Sequence, residues 1–373
     1  MQRLLPEWAS QEAVLLAWPD AKTDWAPWLE QARFTYLELI GQLNQANTPV
    51  IMLIKPEEIV HALKYIEKWN VQQHGHVRTT QGLSGQNIQD SPSISQLLLL
   101  PAAYNDTWLR DYGFITCETE SGMQALDFHF NGWGNKFDAQ LDTQATSHVF
   151  ADLMRTPPIS VDFTLEGGAL EIDGAGHLLS TQLCLSNPER NGEWDEQRHI
   201  ELFSQTLGAT KVTILQHGHL EGDDTDGHID TLVRFTPDAS VVIQSCFNRP
   251  DDAHFVGLNA LVDECDILLK PSAIFELPLP HIVNEANERL PASYANYLIS
   301  NDHIFAPVYG EPEDAQALDV LHKAYPDFQV VPIDCRTLVQ QFGSLHCITM
   351  QVPCGTLKSD VIKLAQSGIS VYE

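Results

Sequence analysis

The sequence predicts a mixed α/β fold in a single domain, because strand-like apolar runs alternate with helical spacing along the whole chain and no linker interrupts them. Strand patterning marks residues 13–18, 50–54, 96–100, 159–163, 211–215, 241–245 and 329–333. Between these runs, apolar positions recur at helical spacing over 28–45, 56–69, 193–207, 252–268 and 311–324. Residues 82–94 form the most loop-like stretch, and no Pro, Gly, Ser or charge tract divides the chain, so residues 1–373 are read as one domain. No repeat of fixed period is visible in the letters.

Composition narrows the class. With 43% hydrophobic and 19% charged residues, the chain can bury a core and is neither disordered nor a disulfide scaffold. No apolar run approaches the roughly 18 residues that span a bilayer, and residues 1–6 lack a basic and apolar leader, so an intracellular, cytoplasmic protein is expected. The seven cysteines are an odd set without a C-x-x-C pair, which suggests neither disulfides nor a zinc knuckle. The 21 Lys and Arg stand against 50 Asp and Glu, a net charge of −29. Such a field repels nucleic acid and anionic membranes and suits a cationic small molecule.

Four segments hold residues capable of chemistry: NDTWLRDYG at 105–113, LEGG at 165–168, EGDDTDGHID at 221–230 and GSLHCIT at 343–349. The third packs five acids and a histidine into ten residues, so a cation or a set of backbone donors must neutralise it. Its spacing does not match a calcium loop, and H-I-D offers too few ligands for zinc, so no metal site is expected. Strand periodicity over His228, Ile229 and Asp230 would send both polar side chains to one face. The same periodicity over 347–351 would put Cys347 at the mouth of a strand.

With PEW at 6–8, AWP at 17–19, NPERN at 187–191 and ERLPASY at 288–294, these segments resemble, in chain order, the agmatine deiminases of the guanidino-group-modifying (pentein) superfamily. The resemblance implies a pentein fold, a five-fold pseudo-symmetric α/β propeller of ββαβ-type units around a central site. It implies hydrolysis of agmatine to N-carbamoylputrescine and ammonia without metal or organic cofactor, in a homo-oligomer serving putrescine synthesis. Carried over by motif, Cys347 is the nucleophile, His228 the acid and base, and Glu166 the partner of His228. Asp111 and Asp230 grip the guanidinium. Trp108 is expected as a flat wall for the substrate, and Asp224 and Asp226, from charge and position, as acceptors for its distant amine. A different guanidino substrate, such as free or peptidyl arginine, or a metal-binding hydrolase built on the acid and histidine cluster, is the alternative.

Overall fold

The computed structural model describes residues 2–80 and 92–373. The loop-like stretch expected at 82–94 lies outside the described residues as far as residue 91. Mixed α/β architecture is observed; the seven runs marked as strands fall on observed strands within two residues, four of the five helices within three, and the helix expected over 56–69 is observed as Ile59–Thr80.

The largest sheet orders its strands Met350–Pro353, Gln11–Ala17, Val50–Ile54, Leu97–Pro101 and Ile369–Val371. Only the first pair is antiparallel. The VIMLI sequence of Val50–Ile54 is buried at every position, which a strand achieves only when both faces of its sheet are covered. The helix Leu29–Gln45 packs against this strand and Ser359–Gln366 against its neighbour Leu97–Pro101. Leu29–Gln45 ends where Asn47 takes a φ of 57° and the Thr48 N–H turns back to the Leu43 carbonyl at 2.9 Å.

Five sheets form among the described residues, and all share one local order: an antiparallel pair, then a third strand added in parallel to the pair's second member. The pairs are Ile115–Thr119 with Gly122–His129, Glu171–Ile172 with His177–Thr181, Val233–Phe235 with Val241–Gln244, Leu298–Ser300 with His303–Val308, and Met350–Pro353 with Gln11–Ala17. Parallel addition requires a crossover, and helices such as Phe255–Leu269 and Asp314–Ala324 supply it. Among the described residues no helix is long and apolar enough to cross a membrane.

A buried guanidinium ties distant segments together. Arg234 is 0% exposed. Its Nε donates to Glu171 at 2.8 Å, its Nη2 to Glu7 at 2.5 Å and its Nη1 to the Tyr297 carbonyl at 2.7 Å. Removing one member of a buried charge cluster strands the others without their counter-charge. Arg234→Met is therefore expected to lower the unfolding free energy in urea by about 3–5 kcal/mol. A loss below about 1 kcal/mol would show that the cluster contributes little.

Candidate active site

Each of the five antiparallel pairs is entered through a short turn, and in each turn stands a polar residue of one site. Asp111 lies in the helical turn Leu109–Tyr112, Glu166 just ahead of the turn Gly167–Ala169, and Asp230 in the turn Ile229–Thr231. Asn296 and Cys347 occupy the corresponding places ahead of Leu298–Ser300 and Met350–Pro353. A cleft opens over the turns that carry Asp111, Asp230 and Cys347. Asp111, His228, Asp230, Cys347, Trp108 and Asp224 all line it.

Asp111 is held on both oxygens. Gly168 N–H donates to Oδ1 and Trp133 Nε1 to Oδ2, each at 2.9 Å. Glycine is required at 168, because a Cβ there would lie 2.5 Å from His228 Nδ1 and 2.8 Å from Asp111 Oδ1. Trp133 adopts a left-handed φ of 55°, a strained conformation for a bulky side chain. The sequence reading missed this residue; its signal was the flanking Gly132 and Gly134.

The strand expected through His228 and Asp230 does not form. Asp223 caps the preceding loop by accepting from Thr225 N at 2.9 Å and Gly227 N at 2.6 Å. The Thr231 and Leu232 N–H groups then bond back to His228 and Ile229, so they are unavailable to a sheet ladder. The tight turn brings His228 and Asp230 to the cleft while Ile229 is fully buried in the core.

Cys347 likewise lies in a turn, ahead of the strand rather than on it. Asn296 Oδ1 organises that turn, accepting from His346 N at 3.0 Å and standing 3.3 Å from Cys347 Sγ. An acceptor on sulfur favours the thiol over the thiolate. Glycine stands at 343, four residues before Cys347, because a Cβ there would sit 2.3 Å from the Trp108 ring, which packs on the backbone.

Burial, then Asp230 and Asp111, pushes the Cys347 thiol well above its ordinary value. Burial would lower His228, but Asp111, Cys184 and Glu166 outweigh it and raise the imidazole well above the usual range. Glu166 Oε2 stands 3.3 Å from His228 Nε2. Burial would raise Glu166, yet His228 and Arg190, whose Nε is 2.8 Å from both carboxylate oxygens, hold it below the usual range. Asp111 is raised by burial, against the pull of His228, and further by Asp230 and Glu166. Asp230 resists the same burial because His346 donates to it. Neither Arg190 nor His346 was singled out from the sequence.

Of the two acids expected at the substrate tail, Asp224 lines the cleft, its carboxyl pushed up to about 7 by burial and by Asp223. Asp226 is a correction. A φ of 67° turns it away, and it is held by Lys136, Arg190 and Asn187 at 2.7–2.8 Å. Asp106 and Asp24 also line the cleft. Glu166, Cys184 and His228 lie close enough to share a metal ion, but Arg190 already neutralises Glu166 and His228 is held cationic, so the set is electrostatically hostile to one.

A family model, the Porphyromonas-type peptidyl-arginine deiminases, matches residues 3–353. A Campylobacter jejuni agmatine deiminase, solved with substrate bound in a cysteine-to-serine variant, is 28% identical and superposes with a TM-score of 0.81, covering 96% of this chain and 98% of its own. A provisionally named arginine deiminase of Porphyromonas gingivalis is 36% identical with a TM-score of 0.80, over 96% of this chain and 100% of its own. In Photobacterium profundum a provisionally named agmatine deiminase is 27% identical over 94% of this chain and 96% of its length. The chain belongs to the Porphyromonas-type peptidyl-arginine deiminase family.

Proposed function

We infer that the chain is an agmatine deiminase that hydrolyses the guanidinium C–N bond, releasing ammonia and N-carbamoylputrescine. The observation that carries this reading is the cleft itself: two buried carboxylates, a cationic histidine backed by a glutamate, and a cysteine thiol meet where a planar cation fits. The five sheets of common local order support a pentein-type arrangement of five pseudo-equivalent units, each contributing one turn to the site.

Asp111 and Asp230 take the guanidinium nitrogens through charge-assisted hydrogen bonds and hold the central carbon over Cys347. The incoming cation offsets the two carboxylates that keep the thiol neutral, and the thiol releases its proton to solvent. The thiolate adds to the carbon. His228 donates a proton to one amino nitrogen of the tetrahedral adduct, the C–N bond breaks, and ammonia leaves an S-alkylthiouronium on Cys347. Now neutral, His228 removes a proton from water as the hydroxide adds to the same carbon; the C–S bond then breaks with its electron pair on sulfur, the hydroxyl proton passes to that thiolate, and the ureido product is freed. Glu166 keeps the imidazole oriented for both half-reactions.

The tail of the cleft supports an amine-ended substrate. Arginine would bring a carboxylate to a wall formed by Asp24, Asp106 and Asp224, while nearby Lys136 is committed to Asp226. The family relationship keeps arginine as the second candidate.

Comparison of agmatine, arginine, a peptide ending in arginine and dimethylarginine, with and without EDTA, should give ureido product fastest from agmatine and unchanged by the chelator. Cys347→Ser should lose about 10⁴-fold or more in kcat. Faster turnover of arginine would transfer the tail assignment to that substrate, and loss of turnover in EDTA would reject the metal-free mechanism. By ultraviolet thiolate absorbance at pH 7, Cys347 should be unionised in the free enzyme and ionise when an uncleaved cationic amidine binds; a full thiolate without ligand contradicts the mechanism. Because Asp224 gains its charge as pH rises through about 7, KM for agmatine should fall between pH 6 and 8. Asp224→Asn should raise KM on the order of ten-fold, with less effect on kcat, and abolish that pH trend.

A further inference from the structure

His346 directly precedes the nucleophile, yet the mechanism above gives it no part. Its residue is 2% exposed, with Nδ1 2.7 Å from Asp230 Oδ2 and Nε2 2.7 Å from Glu7 Oε2. Two carboxylate acceptors require two N–H donors, and only the imidazolium has both. Glu7 is anchored in turn: Ile299 N–H donates to its Oε1 at 2.7 Å, and Arg234 to its Oε2. On the cleft side, Asp230 Oδ2 is committed to His346 while Oδ1 is buried without a partner among the described residues. A buried open acceptor beside the nucleophile is suited to a substrate N–H.

We propose that His346 is a positioning residue for deimination: as an imidazolium bridging Glu7 and Asp230, it fixes the substrate-gripping carboxylate to the turn that carries Cys347 and keeps that carboxylate charged. The proposal rests on the deiminase reading and adds a part for the N-terminal segment, which supplies Glu7. The charged and titratable groups around Asp230 are His346, His228, Asp111, Cys347, Arg110 and, beyond Glu7, Arg234. Arg110 faces His346 through its backbone carbonyl, with Nε 3.4 Å from the oxygen. Asp111 and Asp230 are two buried acids in one cleft, and like charges so placed share a proton unless each has its own cation. His228 serves Asp111, and His346 serves Asp230. Without the second imidazolium, burial and Asp111 push the Asp230 carboxyl upward, and its grip on a cation weakens at the acid end of the pH range.

The test uses two variants and one spectroscopic measurement on the unmodified protein. His346→Gln keeps a donor toward one partner only. It should raise KM for agmatine about ten-fold, change kcat less, and move the acid limb of kcat/KM upward by about one pH unit. Glu7→Gln, remote from the reacting carbon, should shift the limb in the same direction by less. A folded His346→Gln enzyme with an unshifted acid limb overturns the proposal. Nitrogen-15 histidine spectra of the wild type, assigned by loss of a signal in either variant or by a through-bond correlation to Cys347, should show both His346 nitrogens carrying protons at pH 7. A neutral tautomer at pH 7 overturns the proposal whether or not the variants fold. Absence of ureido product from the wild type would instead reject the deiminase reading, and the spectra would still decide the charge on the bridge.

Discussion

Buried carboxylates facing one cleft keep their charge only if cations stand behind them, and the structure is organised around meeting that demand. Asp111, Glu166 and Asp230 are each at most 3% exposed. Left to burial alone they would protonate and lose their attraction for a guanidinium. Arg190 and His228 support Glu166, His228 also faces Asp111, and His346 supports Asp230. Arg234 continues the same alternation of charge through Glu7 into the core. Two groups remain on the wrong side of this balance: Asp111, which burial and its acidic neighbours still raise, and Cys347. Its sulfur sits among carboxylates that oppose its ionisation until a cation joins them.

The fold answers a second constraint, which is to bring groups from distant parts of the chain to one point. Asp111 and Cys347 are separated by most of the sequence, yet each occupies the turn that feeds an antiparallel pair of strands. Repeating that local plan in five sheets presents five turns, and the backbone of one turn supports the side chain of another. Gly168 N–H on Asp111 and Asn296 Oδ1 on the Cys347 turn are two examples. Precision at the site therefore comes from rigid strand entries rather than from a long flexible loop.

Much of this was legible in the letters, and the remainder was hidden for definable reasons. Strands with continuous apolar character, such as Val50–Ile54, and long amphipathic helices declare themselves by period. Glu171–Ile172 and Leu298–Ser300 are too short for any period to show, and Gly122–His129, His177–Thr181, Ile274–Leu277 and His303–Val308 were not read as strands, so the five-sheet plan stayed invisible. Cys347, His228, Asp111 and Asp230 were recognisable because their motifs survive. The paired histidine and aspartate were placed on a strand, whereas caps from Asp223 wind them into a turn. Asp224 and Asp226 look alike in sequence; only the left-handed backbone at Asp226 separates the cleft residue from the one held by Arg190. Glu7, Arg190 and His346 stand inside segments quoted for the resemblance, but they and Asn296 act through partners far along the chain, so nothing local assigned them a role.

The central claim is that Cys347 becomes covalently bonded to the guanidinium carbon while ammonia departs. Acid-quenching the enzyme within a single turnover of agmatine and mapping its peptides by mass spectrometry addresses that claim most directly. The account predicts that the peptide containing Cys347 gains the mass of agmatine less ammonia and that His228→Gln alters the accumulation of this adduct. Rapid formation of ureido product with Cys347 unmodified at every quench time, or with the adduct on another residue, would contradict it.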